Sequence, residues 1–136
     1  MLDVHVSKKL ESYALDISFK ANKGITALFG PSGAGKTMLA KMLIGLEKPD
    51  FGHIRLNDNH LYKREDGKIR QINVPPQNRN IGFVFQDHRL FPHYSVLGNL
   101  KYGMKARSPS RPTPDMDEVI HFLGIETLLH RKPNTL

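Results

Sequence analysis

At 136 residues, with 39% hydrophobic and 24% charged residues, the chain has the size and composition of one folded domain rather than a disordered segment. The absence of cysteine excludes a disulfide framework and thiolate metal sites, and no apolar run approaches the ~20 residues that span a bilayer. A formal charge of +7 raises nucleic acid as a partner, but the basic residues are scattered in pairs such as Lys8-Lys9, Lys63-Arg64 and Arg131-Lys132, so no nucleic-acid partner is expected.

The first ten residues lack the apolar core of a secretory signal, and the chain is read as cytoplasmic. Leu2 to Val6 alternates apolar and polar residues, which predicts a half-buried strand. Tyr13 to Phe19 alternates again, with Tyr13, Leu15, Ile17 and Phe19 on one face. The polar run SKKLES between them predicts an antiparallel pair joined by a loop longer than a tight turn. Asn22-Lys23-Gly24 reads as a turn, and the continuous apolar run Ile25 to Phe29 predicts a strand covered on both faces. From Lys36 to Leu46, Leu39, Met42, Leu43 and Leu46 fall at helical spacing, with Pro49 and Gly52 closing that element. His53 to Leu56 is strand-like and Asn57-Asp58-Asn59 a turn. Lys63 to Arg79, polar and carrying Pro75-Pro76, reads as a loop. Ile81 to Phe85 is a second buried-strand segment. Ser95 suits the N-cap of a helix bearing Val96, Leu97, Leu100 and Met104. Residues 105–112 read as a linker, and Thr113-Pro114 opens a helix with Asp115 and Asp117 at its positive end. Met116, Val119, Ile120 and Leu123 give that helix an apolar stripe, and Gly124 stops it.

The segment Gly30-Pro31-Ser32-Gly33-Ala34-Gly35-Lys36-Thr37 fits the pattern G-x-x-x-x-G-K-[ST]. Glycines let the backbone curl until several N–H groups face one phosphate, and the helix that follows directs its positive end at the same anion. Lys36 can reach the outer phosphates, and the Thr37 hydroxyl suits a magnesium ligand. The loop follows an apolar run and opens an amphipathic helix, the arrangement such a site needs. A nucleoside triphosphate with Mg2+ is therefore expected here. The glycines at 30, 33 and 35 do not have the spacing of a dinucleotide-binding G-x-G-x-x-G.

Residues 80–99 read N-I-G-F-V-F-Q-D-H-R-L-F-P-H-Y-S-V-L-G-N: an apolar run ending at Gln86, a polar pair, Leu-Phe-Pro-His, then a capped helix. Residues 45–57 read GLEKPDFGHIRLN. With the glycine-rich loop, these segments resemble the ATP-binding subunits of ABC importers over almost the whole chain. GITALFGPSGAGKT, PPQNRNIGFVFQDHRLFPHYSVLGNLKYGM and FLGIETLLHRKPNTL look most like the molybdate-importer ATPases within that family. Importers of sulfate, iron and polyamines share much of the pattern. Asp87-His88-Arg89 and Gly98 stand where those relatives more often carry D-Y-A and a glutamate.

The resemblance implies an α/β fold, a phosphate-loop NTPase core (incomplete) with an N-terminal antiparallel β subdomain of the ABC ATPase type. It divides residues 1–136 into a β and phosphate-loop part, about 1–85, and a glutamine loop with the start of a helical subdomain, about 86–136. It implies ATP and Mg2+ as cofactors, and Gln86 as the residue that positions magnesium and the attacking water. It implies that 88–104 faces a membrane-spanning permease, that the complete protein forms a homodimer, and that it sits on the cytoplasmic face of the inner membrane. Many relatives stack an aromatic on the adenine; Tyr13 is the residue placed for this, although its alternation reads as core.

Three parts of such an ATPase have no counterpart in these residues: the S-G-G-[EQ] signature, the acidic strand with its glutamate, and the switch histidine. The expectation is a chain that binds ATP without hydrolysing it, with Ile25–Phe29 and Ile81–Phe85 left as open, aggregation-prone edges. A truncated, non-catalytic nucleotide-binding protein is the rival reading. A phosphate-loop kinase is a further one, disfavoured by the glutamine-loop segment. No two of the seven histidines stand at i,i+3 or i,i+4, so side-chain metal ligation beyond magnesium is not expected; His53 reads as a strand residue.

Overall fold

The computed structural model describes residues 1–11, 13–65, 67, 69, 71–87, 89–105 and 115–136. The chain divides into two units, Met1–Val84 and Phe85–Leu136.

The first unit is an antiparallel sheet with one helix against it. Its strands are β1 (Leu2–Lys9), β2 (Ala14–Ala21), β3 (Phe51–Leu56), β4 (Asn59–Arg64) and β5 (Ile72–Asn73), in the order β2-β1-β3-β4-β5. The helix, α1, is Lys36–Ile44. Alternation works as the sequence predicts: Val4 and Val6 of β1 and Leu15 of β2 point inward and are buried, while Asp3, His5 and Ser7 take the other face. Leu39 and Met42 of α1 complete the core with Ile54, Leu61 and Tyr62. Truncating a buried leucine such as Leu39 to alanine removes about 2–5 kcal/mol of stability.

The β1–β2 pairing extends to Lys9↔Ala14, so the connection is only residues 10–13, closed by Leu10 N donating to Tyr13 O at 2.8 Å. The polar run SKK is strand, not loop. Lysine stems lie along the sheet while the ammonium reaches out, and Lys8 Nζ finds Lys48 O at 2.7 Å. Tyr13 precedes β2 and is 44% exposed, so it is not the core residue its alternation suggested.

The sequence also missed β4 and β5. Asn57, at φ +53°, and Asp58 form the hairpin turn, but between Ile54 and Arg55 the register of β3 against β4 shifts. That bulge sets consecutive residues, Leu61 and Tyr62, inside together. A segment folded this way shows no period of two. Tyr62 then satisfies its hydroxyl by donating to Pro49 O at 2.6 Å.

Ile25–Phe29 and Ile81–Phe85 correct the sequence reading. Neither joins a ladder among the described residues; Ile25 and Phe29 are fully exposed and Val84 is 94% exposed. Apolarity shows that a segment gains from cover, but a strand also needs a neighbour for its N–H and C=O groups. The five-stranded sheet places none beside either segment.

The second unit contains α2 (Val96–Lys105) and α3 (Met116–Leu123), followed by short 3-10 turns at Glu126–Leu128 and Pro133–Thr135. Ser95 caps α2, its Oγ accepting from Gly98 N at 3.2 Å. Two further amides at that end, Val96 N and Leu97 N, donate to Arg131 O and Leu129 O. Asp115 caps α3 by accepting from Asp117 N, and Gly124 at φ +63° ends it. Of the stripe expected on α3, only Ile120 is buried. The expected linker over 106–112 and the start at Thr113-Pro114 lie outside the described residues. No helix among the described residues is long and apolar enough to cross a membrane.

On the outer face of the sheet, Asp3 is met by Arg55 Nη2 at 3.1 Å, His53 Nε2 at 3.5 Å and Lys20 Nζ at 3.7 Å. Burial pushes its carboxyl up, but the hydrogen bonds from His53 and Arg55 and the charge of Lys20 outweigh that and hold it below its ordinary 3.8. A depressed folded value means the ionised group stabilises the fold above pH 3.8 and ceases to as pH falls through the lower, folded value. Asp3→Asn should therefore melt at a lower temperature than the unaltered chain at neutral pH. The gap should close on acidification below 3.8; a gap independent of pH in thermal melts would contradict this.

Candidate functional site

Gly30 to Thr37 fold into one loop that ends in the first turn of α1. Gly33 at φ +82° and Gly35 at φ +86° reverse the backbone in a conformation that side chains rarely adopt. Ala34 N donates to Pro31 O at 3.3 Å within the turn, and Leu39 N to Gly35 O at 2.8 Å begins the helix. Pro31, Ser32, Gly33, Ala34 and Thr37 are exposed. Amides of a first helical turn have no intrahelical acceptor and carry the positive end of the dipole, which favours an anion at such an end. Lys36 Nζ donates to Gly30 O at 2.7 Å and to Pro31 O at 2.6 Å, which folds its ammonium back over the loop. The donor set fits a polyphosphate: backbone N–H groups, one ammonium, and at Thr37 one hydroxyl oxygen of the kind magnesium accepts.

Two neighbours of the loop come from the first hairpin. A Cβ added to Gly35 would stand 2.5 Å from Leu15 Cδ1, so close packing as well as φ demands glycine there. Tyr13 Oη lies 3.4 Å from Gly33 O, a long contact that nevertheless places an exposed aromatic ring beside the loop.

The far end of α1 carries a residue the sequence did not single out. Gly45, at φ +86°, closes the helix as a Schellman turn, with Gly45 N to Met42 O and Leu46 N to Lys41 O. This stop comes earlier than the expected Pro49, and Leu46 is exposed beyond it. Arg79, only 2% exposed, then donates from Nη1 to Met42 O at 2.7 Å and Leu43 O at 2.9 Å. Its Nε donates to Val74 O and its Nη2 to Asn73 Oδ1. Burial pushes the guanidinium below its ordinary value, but arginine remains protonated in proteins. A single arginine in a polar run has no periodicity to reveal such a role.

Gln86 belongs to the second unit, where it is exposed on a bend after Phe85. Arg89 sets the guanidinium carbon 4.3 Å from the Phe85 ring centre and Nη2 3.8 Å from Asp87 Oδ2. His88 lies outside the described residues. The following turn is clamped by Asn99, whose Oδ1 accepts from Phe91 N while Nδ2 donates to Phe91 O and Ser95 O. Phe91, Tyr94 and Tyr102 gather there, with Phe91 and Tyr102 ring centres 4.6 Å apart. Among the described residues no group of three or more His, Asp or Glu side chains could hold a metal ion.

Gly35→Ala tests the loop. It adds a side chain at positive φ and against Leu15, and should lower stability by about 1–3 kcal/mol in denaturant unfolding. An unchanged midpoint would show that the loop accommodates a side chain there.

The sequence profile of the ABC transporter family matches residues 14–136. The chain is 43% identical over 136 residues to "Molybdenum import ATP-binding protein ModC" of Paramagnetospirillum magneticum, and 47% over 137 residues to the protein of that name from Shewanella sp. strain MR-7. Each match takes in all of this chain but 36% of the relative, so the chain spans little more than a third of their length. Among solved structures it is similar to a dimeric ATP-binding cassette in a post-hydrolysis state with ADP and Pi, at TM-score 0.68 and 21% identity, covering all of this chain and 63% of that one. A dimeric bacterial ABC transporter cassette gives 0.66 at 22% identity, with the same coverage. The fold is thus that of the ABC ATPases, with the antiparallel sheet as its N-terminal part, and the chain belongs to the ABC transporter family.

Proposed function

We propose that the chain is the N-terminal, nucleotide-binding part of the ATP-binding subunit of a molybdate importer. The observation that carries this is the loop Gly30–Thr37, curled by two left-handed glycines onto the opening turn of α1 with Lys36 folded over it. The importer and its cargo rest on the 43–47% identity to molybdenum-import relatives over the whole chain.

In this reading the loop amides from Gly30 to Gly35 and the Lys36 ammonium hold the phosphates of ATP, and Thr37 contributes its hydroxyl to Mg2+. Bound magnesium supplies charge neutralisation between the outer phosphates. Gln86 takes the role of positioning water and magnesium. The first unit serves as the β and phosphate-loop part, and the second as the glutamine loop with the start of the helical subdomain. The exposed aromatic patch around Phe91 and Tyr102 is the surface offered to the permease. The subunit works as a homodimer on the cytoplasmic face of the inner membrane. The S-G-G-[EQ] signature, the acidic strand with its glutamate and the switch histidine have no counterpart in these 136 residues, so in this reading they bind ATP without turning it over.

Calorimetry should show one MgATP bound per chain, about tenfold or more weaker in Lys36→Ala, which loses charge-assisted hydrogen bonds to phosphate, and weaker in excess chelator. Equal affinity in Lys36→Ala would remove the loop from the site. Steady-state phosphate release from the pure 136-residue chain, abolished by Lys36→Ala, would contradict the absence of turnover. For the cargo, disrupting the gene in its host should stop high-affinity molybdate uptake, restored by the intact gene and not by Lys36→Ala. Loss of sulfate, iron or polyamine uptake with molybdate uptake intact would reassign the substrate.

A further inference from the structure

α1 has to deliver its first-turn amides to a phosphate, and its direction is set as much by its last turn as by its first. The last turn leaves four carbonyls without intrahelical donors, clustered at the negative end of the dipole. Gly45 N and Leu46 N use Met42 O and Lys41 O. Arg79 Nη1 donates a second bond to Met42 O and another to Leu43 O. Its other two nitrogens reach back to Val74 O and Asn73 Oδ1, directly after and within β5. None of the four bonds goes to a carboxylate. Among the described residues the guanidinium is thus a buried cation whose counter-charge is the end of the helix itself, tied to the edge of the sheet.

Space around it allows no slack. A Cβ on Gly45 would stand 2.6 Å from Arg79 Nε and 2.8 Å from its Cζ. Tyr62 holds Pro49 O on the connection that follows the helix, so this end of α1 is fixed on two sides. The loop residue Lys36 lies six and seven residues before the two carbonyls that Arg79 holds, about 10 Å along the axis at ~1.5 Å per residue. A helix this short moves as a rigid piece, so tilting its last turn displaces its first.

We infer that Arg79 is a positioning residue for the phosphate site: by pinning the C-terminal turn of α1 to β5 it sets the angle at which the loop amides and Lys36 meet the nucleotide. This rests on the reading of Gly30–Thr37 as a triphosphate site. Arg79 itself touches no nucleotide.

The test uses the product of the intact gene and calorimetric titration with MgATP, which separates affinity from the fraction of molecules able to bind. Arg79→Ala should keep close to the unaltered stoichiometry while its Kd rises about tenfold. Guanidinium ion at a few millimolar should bring the Kd back towards the unaltered value by filling the vacated position. Arg79→Lys keeps the charge but not the planar fork, and should fall between the two; it carries the test if Arg79→Ala does not fold. A purely structural role would lower stoichiometry and leave the Kd of the folded molecules unchanged, with no response to guanidinium, and that outcome overturns the inference. Failure of the unaltered protein to bind MgATP would instead overturn the nucleotide reading, and this inference with it.

Discussion

A helix of nine residues leaves amides bare at one end and carbonyls bare at the other, and the first unit of this protein is organised around where those groups go. At the start of α1 Gly35 makes no side-chain cap, and Pro31, Ser32, Gly33, Ala34 and Thr37 around it are exposed. At the finish the carbonyls are closed off by Gly45, Leu46 and the buried Arg79. One end is kept open and the other sealed, which lets the open end be aimed. Capping both ends alike would leave no donors for a ligand, and leaving both bare would give the helix no fixed direction.

The sheet is the frame for that aim. Leu39 and Met42 press α1 against the inner face made by Val4, Val6, Leu15 and Ile54. Leu15 does two tasks, since it also closes on Gly35 at the root of the loop. The bulge in β4 adds to the same frame by turning Leu61 and Tyr62 inward together, and Tyr62 reaches Pro49 just past the end of α1. The polar outer face, with Asp3 bridging three strands, keeps β2, β1 and β3 in register without touching the helix.

What was legible in the sequence depended on whether the signal was local. The turn at Gly30–Thr37 could be read because its glycines answer to backbone conformation within eight positions. β1 and β2 could be read because one buried face imposes a period of two, although Lys8 and Lys9 hid the length of the ladder behind their charge. β4 could not, because a bulge erases that period. Ile25–Phe29 and Ile81–Phe85 were misjudged for a different reason: hydrophobicity reports a demand for cover, and strand formation needs a partner whose place no local pattern records. Arg79 was invisible because its four acceptors lie between 5 and 37 positions away. Tyr13 was misplaced by extending an alternation one residue beyond the strand that imposes it.

The account's central claim is that the first turn of α1 and the loop before it form the nucleotide site. Two-dimensional amide NMR spectra recorded during a MgATP titration test it directly. The largest shifts should fall on the backbone amides of Gly33, Ala34, Gly35, Lys36 and Thr37, with smaller ones running along α1 to Gly45. Saturating MgATP that leaves those loop amides unmoved, or moves only residues elsewhere, would contradict it.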